Sequence, residues 1–209
     1  MTEDELATLE ALLAREAFAG AHLEVGTAAG GTLCRMLACL PDDGGFVVVD
    51  RMQYYDDQLA SFRQNLERHG IDEARVDLRI ASSADAFRAA AARGERFAFA
   101  LIDAGHGLLD VTRDLRWLRL LAPGGVLLIR DLFRPPTPER ALELVGLHAA
   151  GETEYQRELF RASLHAAFEP DELRAIAREA GLAGVELVLD SDRHMSLQCR
   201  RKPGAGARR

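Results

Sequence analysis

Lysine is nearly absent from this chain. Of 26 basic residues in 209, Lys202 is the one lysine, and it stands in the C-terminal tail. The body of the chain therefore has no candidate for a Schiff-base lysine, a P-loop lysine or the lysine of a Tyr-x-x-x-Lys dehydrogenase pair. Cysteine is scarce as well. Cys34, Cys39 and Cys199 are odd in number and lack metal-like spacing. They predict reduced, packed thiols of a cytoplasmic protein. Positive charge is short overall, with 33 acidic residues and a net charge of −7. That argues against a nucleic-acid partner, whose phosphates call for a basic face. No run of about 20 apolar residues exists, so no membrane span is expected. The opening Met1-Thr-Glu-Asp-Glu5 has neither the basic nor the apolar segment of a signal peptide.

What is present is ordinary for a globular protein: 48% hydrophobic and 28% charged residues. The length suits one domain over 1–209. The tail 202–209, rich in Gly, Pro and Arg, is expected to fray.

Periodicity orders the chain. Thr2 to Phe18 has helical apolar spacing with acidic residues at its start. Short apolar strands are predicted at Ala21–Val25, Phe46–Asp50, Val76–Ile80, Phe97–Asp103 and Val126–Ile129. Between them lie helices over Gly31–Leu40 (stopped by Pro41), Gln58–His69, Asp85–Ala92 and Leu109–Leu121, with a tight turn at Pro123–Gly125. Such alternation predicts an α/β fold with a doubly wound, mostly parallel sheet. After Asp131 the rhythm changes. Three prolines in 133–138 are followed by helical stretches at Glu139–Ala149 and Glu152–His165. Residues 134–168 are expected to form a helical lid. A helix from Glu169 to Gly181 and an antiparallel hairpin, Val185–Leu189 with Met195–Arg200, complete seven strands.

The organising stretch is His22-Leu-Glu-Val-Gly-Thr-Ala-Ala-Gly-Gly31. It reads as a buried strand, a glycine turn and a helix. Its spacing is E-x-G-x-x-x-G. A dinucleotide fingerprint needs G-x-G-x-x-G, and a P-loop needs G-K-[ST]. The glycines suit a sharp turn with close approach to a ligand, and Glu24 suits a cationic amino acid end. Asp50 closes the second strand about 24 residues beyond Gly26. A carboxylate there can accept ribose hydroxyls. Glu24, Gly26, Asp50, Ser82, Ser83, Asp103 and Asp131 all fall at expected strand ends, on the rim where doubly wound sheets bind ligands.

The glycine stretch resembles motif I of the class I S-adenosylmethionine (SAM) methyltransferases. Ile102-Asp-Ala-Gly-His106, Leu121-Ala-Pro-Gly-Gly125 and Arg130-Asp131 resemble the I-D-x-x-H, L-x-P-G-G and acidic elements of the small-molecule O-methyltransferases of the macrocin and related sugar-methylating group. The resemblance covers nearly the whole chain. It implies a Rossmann-like methyltransferase fold and SAM as cofactor. Glu24, Gly26, Thr27, Ala28, Gly30, Asp50, Arg51, Met52, Ser82, Ser83 and Asp103 would hold the cofactor. His106 would be the general base and Asp103 part of the catalytic set. The acceptor would be a small molecule, such as a sugar, a polyketide or another secondary metabolite, methylated on a hydroxyl.

The group also implies magnesium, carried over here to Asp103 and Asp131. This chain departs from it by having Arg130 where an acidic residue is frequent. Two readings follow. Either magnesium binds through Asp103 and Asp131, or the site is metal-free and Arg130 supplies positive charge to a developing alkoxide. A structural ion pair of Arg130 with Asp103 or Asp131 is the plain alternative. For His106 the plain alternative is a surface histidine capping the next helix. His148, Tyr155, Phe160 and His165 fall in the lid stretch, and Tyr54 and Tyr55 follow Asp50. Competing functions are a non-catalytic regulatory or assembly protein on the same fold, and an N-methyltransferase. A homodimer is compatible with either.

Overall fold

Short apolar runs ended by polar or glycine residues become the parallel part of the sheet. They are β1 (Ala21–Val25), β2 (Phe46–Asp50), β3 (Val76–Ile80), β4 (Phe97–Ile102) and β5 (Leu121–Leu132). Two antiparallel strands, β6 (Glu186–Leu189) and β7 (His194–Arg200), complete it. In this computed structural model, residues 2–16, 18–40, 45–105, 108–179 and 185–202 are described. Pro41, His106, Gly181 and the tail from 203 lie outside them.

The strand order is β3-β2-β1-β4-β5-β7-β6. Winding starts at β1 and proceeds outward in both directions, so β1 and β4 flank the switch point where such sheets bind ligands. Each central strand is buried on both faces, as helices on both sides of a parallel sheet require.

Alternation along the strands divides the core. On one face, Phe46, Val48, Phe99, Leu101 and Leu128 pack with α1 (Glu3–Glu16), α2 (Gly31–Cys39) and α3 (Gln58–Arg68). On the other, Leu23, Val25, Ile102 and Ile129 pack with α4 (Ser83–Ala92), α5 (Leu108–Asp114) and α8 (Pro170–Glu179). Each fully buried Leu or Phe contributes about 1.5–3 kcal/mol. A third cluster, Leu132, Leu144, Val145 and Leu164, joins α6 (Pro138–His148) and α7 (Glu154–Ala166) to the end of β5. Thr153 and Gln156 cap α7 reciprocally.

One segment departs from the sequence expectation. The helix predicted over Leu109–Leu121 is α-helical only to Asp114. It then tightens into 3-10 turns over Leu115–Leu120, which bury Leu115, Trp117 and Leu120. β5 begins at Leu121 rather than Val126. It pairs Leu121 with Phe97, then Val126 with Phe99, so the Pro-Gly-Gly segment is a bulge inside the strand. Pro123 has no N–H to give to a ladder, and Gly124 has φ +81°, a value that disfavours any side chain.

Candidate active site

The rim at the ends of β1, β2 and β4 is built around Gly26. Its φ is +83°, and a Cβ there would lie 2.2 Å from the Asp103 carbonyl oxygen. The sequence assigned this glycine to ligand approach. The contact that forbids a side chain is with the backbone leaving β4. Gly26 N–H also donates to the Val49 carbonyl (2.9 Å), and Asp103 N–H to that of Val25 (2.9 Å). The three strand ends are thus tied together. Ala28 (φ 47°) and Met52 (φ 53°) hold left-handed conformations on the same rim, a form of strain that gathers at ligand sites.

Asp50 fastens two of these segments. Its Oδ2 accepts from Thr27 N–H (2.9 Å), and its Oδ1 from Met52 N–H (2.7 Å) and Gln58 Nε2 (3.1 Å). A carboxylate has about four acceptor positions, so capacity for a further hydroxyl remains. Gln58 also donates to the Ala28 carbonyl (3.1 Å) and accepts from Tyr54 N–H (2.8 Å). This buried amide braces the whole turn, and nothing in the sequence marks it beyond its place at the start of α3. Arg51 and Tyr54 are exposed beside it.

Glu24 lies beneath the turn, 1% exposed and hydrogen-bonded by the Thr27 side chain, with Oε2 lacking a hydrogen-bond partner among the described residues. Burial pushes its carboxyl up to about 8, and the neighbouring Asp103 and Asp50 charges add to the shift. Above it, α2 starts at Gly30 with no side-chain cap and no acidic residue in its first turn. Its first N–H groups suit an anion. A carboxyl poised to ionise and an uncapped helix start are complementary to the two ends of an amino acid zwitterion.

Other predicted residues are engaged elsewhere. Ser82 caps α4, its Oγ accepting from Asp85 N–H (3.1 Å). Ser83 Oγ bonds the buried Asp114 and accepts from Trp117 Nε1 (2.9 Å). That bridge ties α4 to the 3-10 turns. Of the other histidines, His22 is buried against Phe46 and Phe99. His148 Nε2 lies 2.9 Å from Asp192 at the surface. His106 lies outside the described residues.

Arg130 departs most from an open catalytic cation. It is 5% exposed and doubly paired, with Asp103 (Nη1–Oδ2, 3.3 Å) and with Glu5 of α1. The plain alternative, an ion pair with Asp103, is the observed one, and Glu5 is an added partner that the sequence reading missed. Glu5 further accepts from Thr2 N–H (2.7 Å), and its Oε1 lies 2.8 Å from His194 Nδ1. Burial raises the Glu5 carboxyl. Hydrogen bonds from Thr2 and Ser191, with Arg130 and His194, outweigh this and hold it down at about 2. Burial, followed by Arg130, lowers His194 to about 4, so its neutral ring donates to Glu5. A groove of about 460 Å³ runs from this cluster down α1 to Arg15, away from the glycine turn.

The residues carried over for magnesium do not fit it. Asp131 is not at an open strand end: β5 continues to Leu132, and Asp131 is 2% exposed opposite Met195. Successive strand residues point to opposite faces. Arg130 takes the face of Asp103, and Asp131 takes the other. Among the described residues, no three His, Cys, Asp or Glu side chains gather where they could hold a metal.

This strand order, with a glycine turn after β1 and a carboxylate ending β2, defines a class I SAM-dependent methyltransferase fold. The chain belongs to the methyltransferase domain family, whose match spans residues 23–132. No curated protein sequence matches it. Among solved structures it is similar to TomG, an O-methyltransferase of Streptomyces achromogenes involved in tomaymycin synthesis, in complex with SAM. Identity is 19%, coverage 96% of this chain and 81% of that one, and the TM-score 0.64. An O-methyltransferase from Bacillus cereus in complex with SAH gives 17%, 96%, 82% and 0.63. An O-methyltransferase family protein from Burkholderia thailandensis gives 17% identity and a TM-score of 0.63. It is matched over 95% of this chain, which spans only 56% of that longer protein. At these identities the likeness is one of fold.

Proposed function

We propose that this chain transfers a methyl group from SAM to a hydroxyl of a small molecule. The observation that carries the reading is the rim itself. The Glu24 Oε2, without a partner among the described residues, the uncapped start of α2 and the pinned Asp50 carboxylate surround one turn. When bound, SAM supplies a methyl group already activated on a sulfonium. Glu24 would answer its ammonium end, the first N–H groups of α2 its carboxylate, and Asp50 its ribose. Thr27, Ala28, Gly30, Arg51 and Met52 would line that cradle, while Ser82 and Ser83 would act mainly by holding α4. The remaining work is to place the acceptor in line and take its proton. His106 is the proposed base, by its spacing from Asp103. Transfer to oxygen is supported by the O-methyltransferase activity named for the proteins of similar fold. Sugar or polyketide acceptors, and a lid role for α6 and α7, follow from the resemblance.

Calorimetric titration with S-adenosylhomocysteine tests the cofactor reading. Micromolar binding that Asp50→Ala weakens about tenfold or more is expected, a loss of about 1.4 kcal/mol. No binding by the wild type would leave the non-catalytic alternative standing. In a methyl-transfer assay over candidate acceptors, His106→Ala should lose about 10²–10⁴-fold in turnover. Full turnover in that variant would remove the base assignment.

A further inference from the structure

The Arg130 cluster sits where the magnesium reading would place a cation, and it already contains one. Its guanidinium lies between Asp103, at the exit of β4, and Glu5 of α1. The three side chains differ in access. Glu5 is 1% exposed and Arg130 5%, whereas Asp103 is 29% exposed. The buried pair forms the foundation, and the carboxylate it holds faces outward at the rim. The foundation is secured from behind by Thr2 N–H (2.7 Å) and His194 (2.8 Å), both on Glu5.

Resting on the methyltransferase reading, we propose that Arg130 stands in for a divalent cation at this strand end. It acts as a positioning residue that fixes Asp103 and, through Glu5, makes α1 part of the site. The chemistry favours this over a metal beside the arginine. A divalent ion needs several oxygen ligands, and here two of the nearby carboxylates already face the guanidinium. Asp131 leaves on the opposite face of the sheet. A second cation against a fixed, desolvated guanidinium would meet repulsion that solvent screens poorly. Arginine also stays charged at every working pH and cannot be removed by a chelator. The sequence departure at position 130 and the α1 carboxylate thus form one device: the cation is covalently attached, and an acidic helix neutralises it.

The test uses manganese as the probe, followed by electron paramagnetic resonance, on wild type, Asp103→Asn and Arg130→Ala. Wild type should bind no manganese that Asp103→Asn abolishes. Arg130→Ala leaves Asp103 and Glu5 facing each other and should bind manganese at least about tenfold more tightly than wild type. Manganese should raise the melting temperature of that variant, and Arg130→Lys should behave like wild type. Wild-type manganese binding that disappears in Asp103→Asn would overturn the proposal, as would Arg130→Ala binding no better than wild type. Should Arg130→Ala not fold, the wild-type, Asp103→Asn and Arg130→Lys measurements still decide. S-adenosylhomocysteine titration of wild type, run in parallel, separates failure of the methyltransferase reading from failure of the cation reading.

Discussion

Glu24 and Glu5 are both almost fully buried, yet they carry opposite charge states. Glu24 lies under the glycine turn, where its nearest charges are the carboxylates of Asp50 and Asp103, and its carboxyl rises to about 8. Glu5 lies between α1 and the β5–β7 side of the sheet. Arg130, His194, Thr2 and Ser191 hold its carboxyl down at about 2 against the effect of burial. Burial sets the size of the stake, and the partners set the sign. The β1–β2 side keeps an acid with one oxygen unpartnered among the described residues, suited to a cationic ligand. The β5–β7 side has spent its acid on closing the fold.

The largest test of this contrast breaks the closed side. Glu5→Ala leaves Arg130 buried with one partner and should cost about 3–5 kcal/mol in urea unfolding, the usual loss from breaking a buried pair. Glu5→Leu with Arg130→Met removes both charges and should cost less than Glu5→Ala alone. A loss below about 1 kcal/mol for Glu5→Ala would place the pair with surface ion pairs instead.

Next comes pH, to which the two sides should respond in opposite directions. Glu5 has a folded value of about 2 against an ordinary 4.5. Its contribution is complete above pH 4.5 and is lost as pH falls toward 2. His194, held at about 4 against 6.5, adds a loss as pH falls from 6.5 through 4, because the unfolded chain takes the proton first. Glu24, at about 8 against 4.5, favours the folded state at low pH and loses that contribution as pH rises from 4.5 through 8. Glu24→Gln should therefore be more stable than wild type at pH 9, by an amount on the order of 3 kcal/mol, while leaving the acid limb unchanged. Thermal melts across pH check both limbs.

Smaller still is the proton count of ligand binding. If Glu24 meets the ammonium of S-adenosylhomocysteine, its carboxyl ionises, and up to about one proton should be released at pH 7. Calorimetry in buffers of different ionisation enthalpy measures it, and Glu24→Gln should abolish it. The smallest effect concerns His22, whose ring nitrogens have no hydrogen-bond partner among the described residues and lie beside Phe46 and Phe99. His22→Phe should gain about 1 kcal/mol in urea unfolding, since it removes a buried polar group left unmade.

The fold was legible where local pattern and tertiary need agree. β1, β2 and β3 have the bounds expected from short apolar runs punctuated by glycine, aspartate and serine. The 3-10 turns before β5 and the bulge at Pro123–Gly125 were not legible. A leucine-rich helical pattern and a Pro-Gly-Gly turn look alike in sequence whether the strand starts before or after them. Of the site, Glu24, Gly26 and Asp50 could be placed because each closes or follows a recognisable strand. Gln58, Glu5 and the Ser83–Asp114–Trp117 bridge could not, since their roles depend on distant partners, the Ala28 carbonyl in the case of Gln58.

The sequence by itself determined the alternation of strands and helices, the glycine turn with its carboxylates, and the family. These are local or near-local properties, set by periodicity and by the few residues that permit a sharp turn. Only the tertiary structure decided which acid meets which base. Arg130 and Asp131 are neighbours in sequence, but the pleat sends them to opposite faces of the sheet. Glu5 and Arg130 are 125 positions apart, yet packing of α1 against the sheet brings them into contact. Charge pairing at a strand end depends on side-chain direction and on what packs above it, and neither is written in the spacing of the residues.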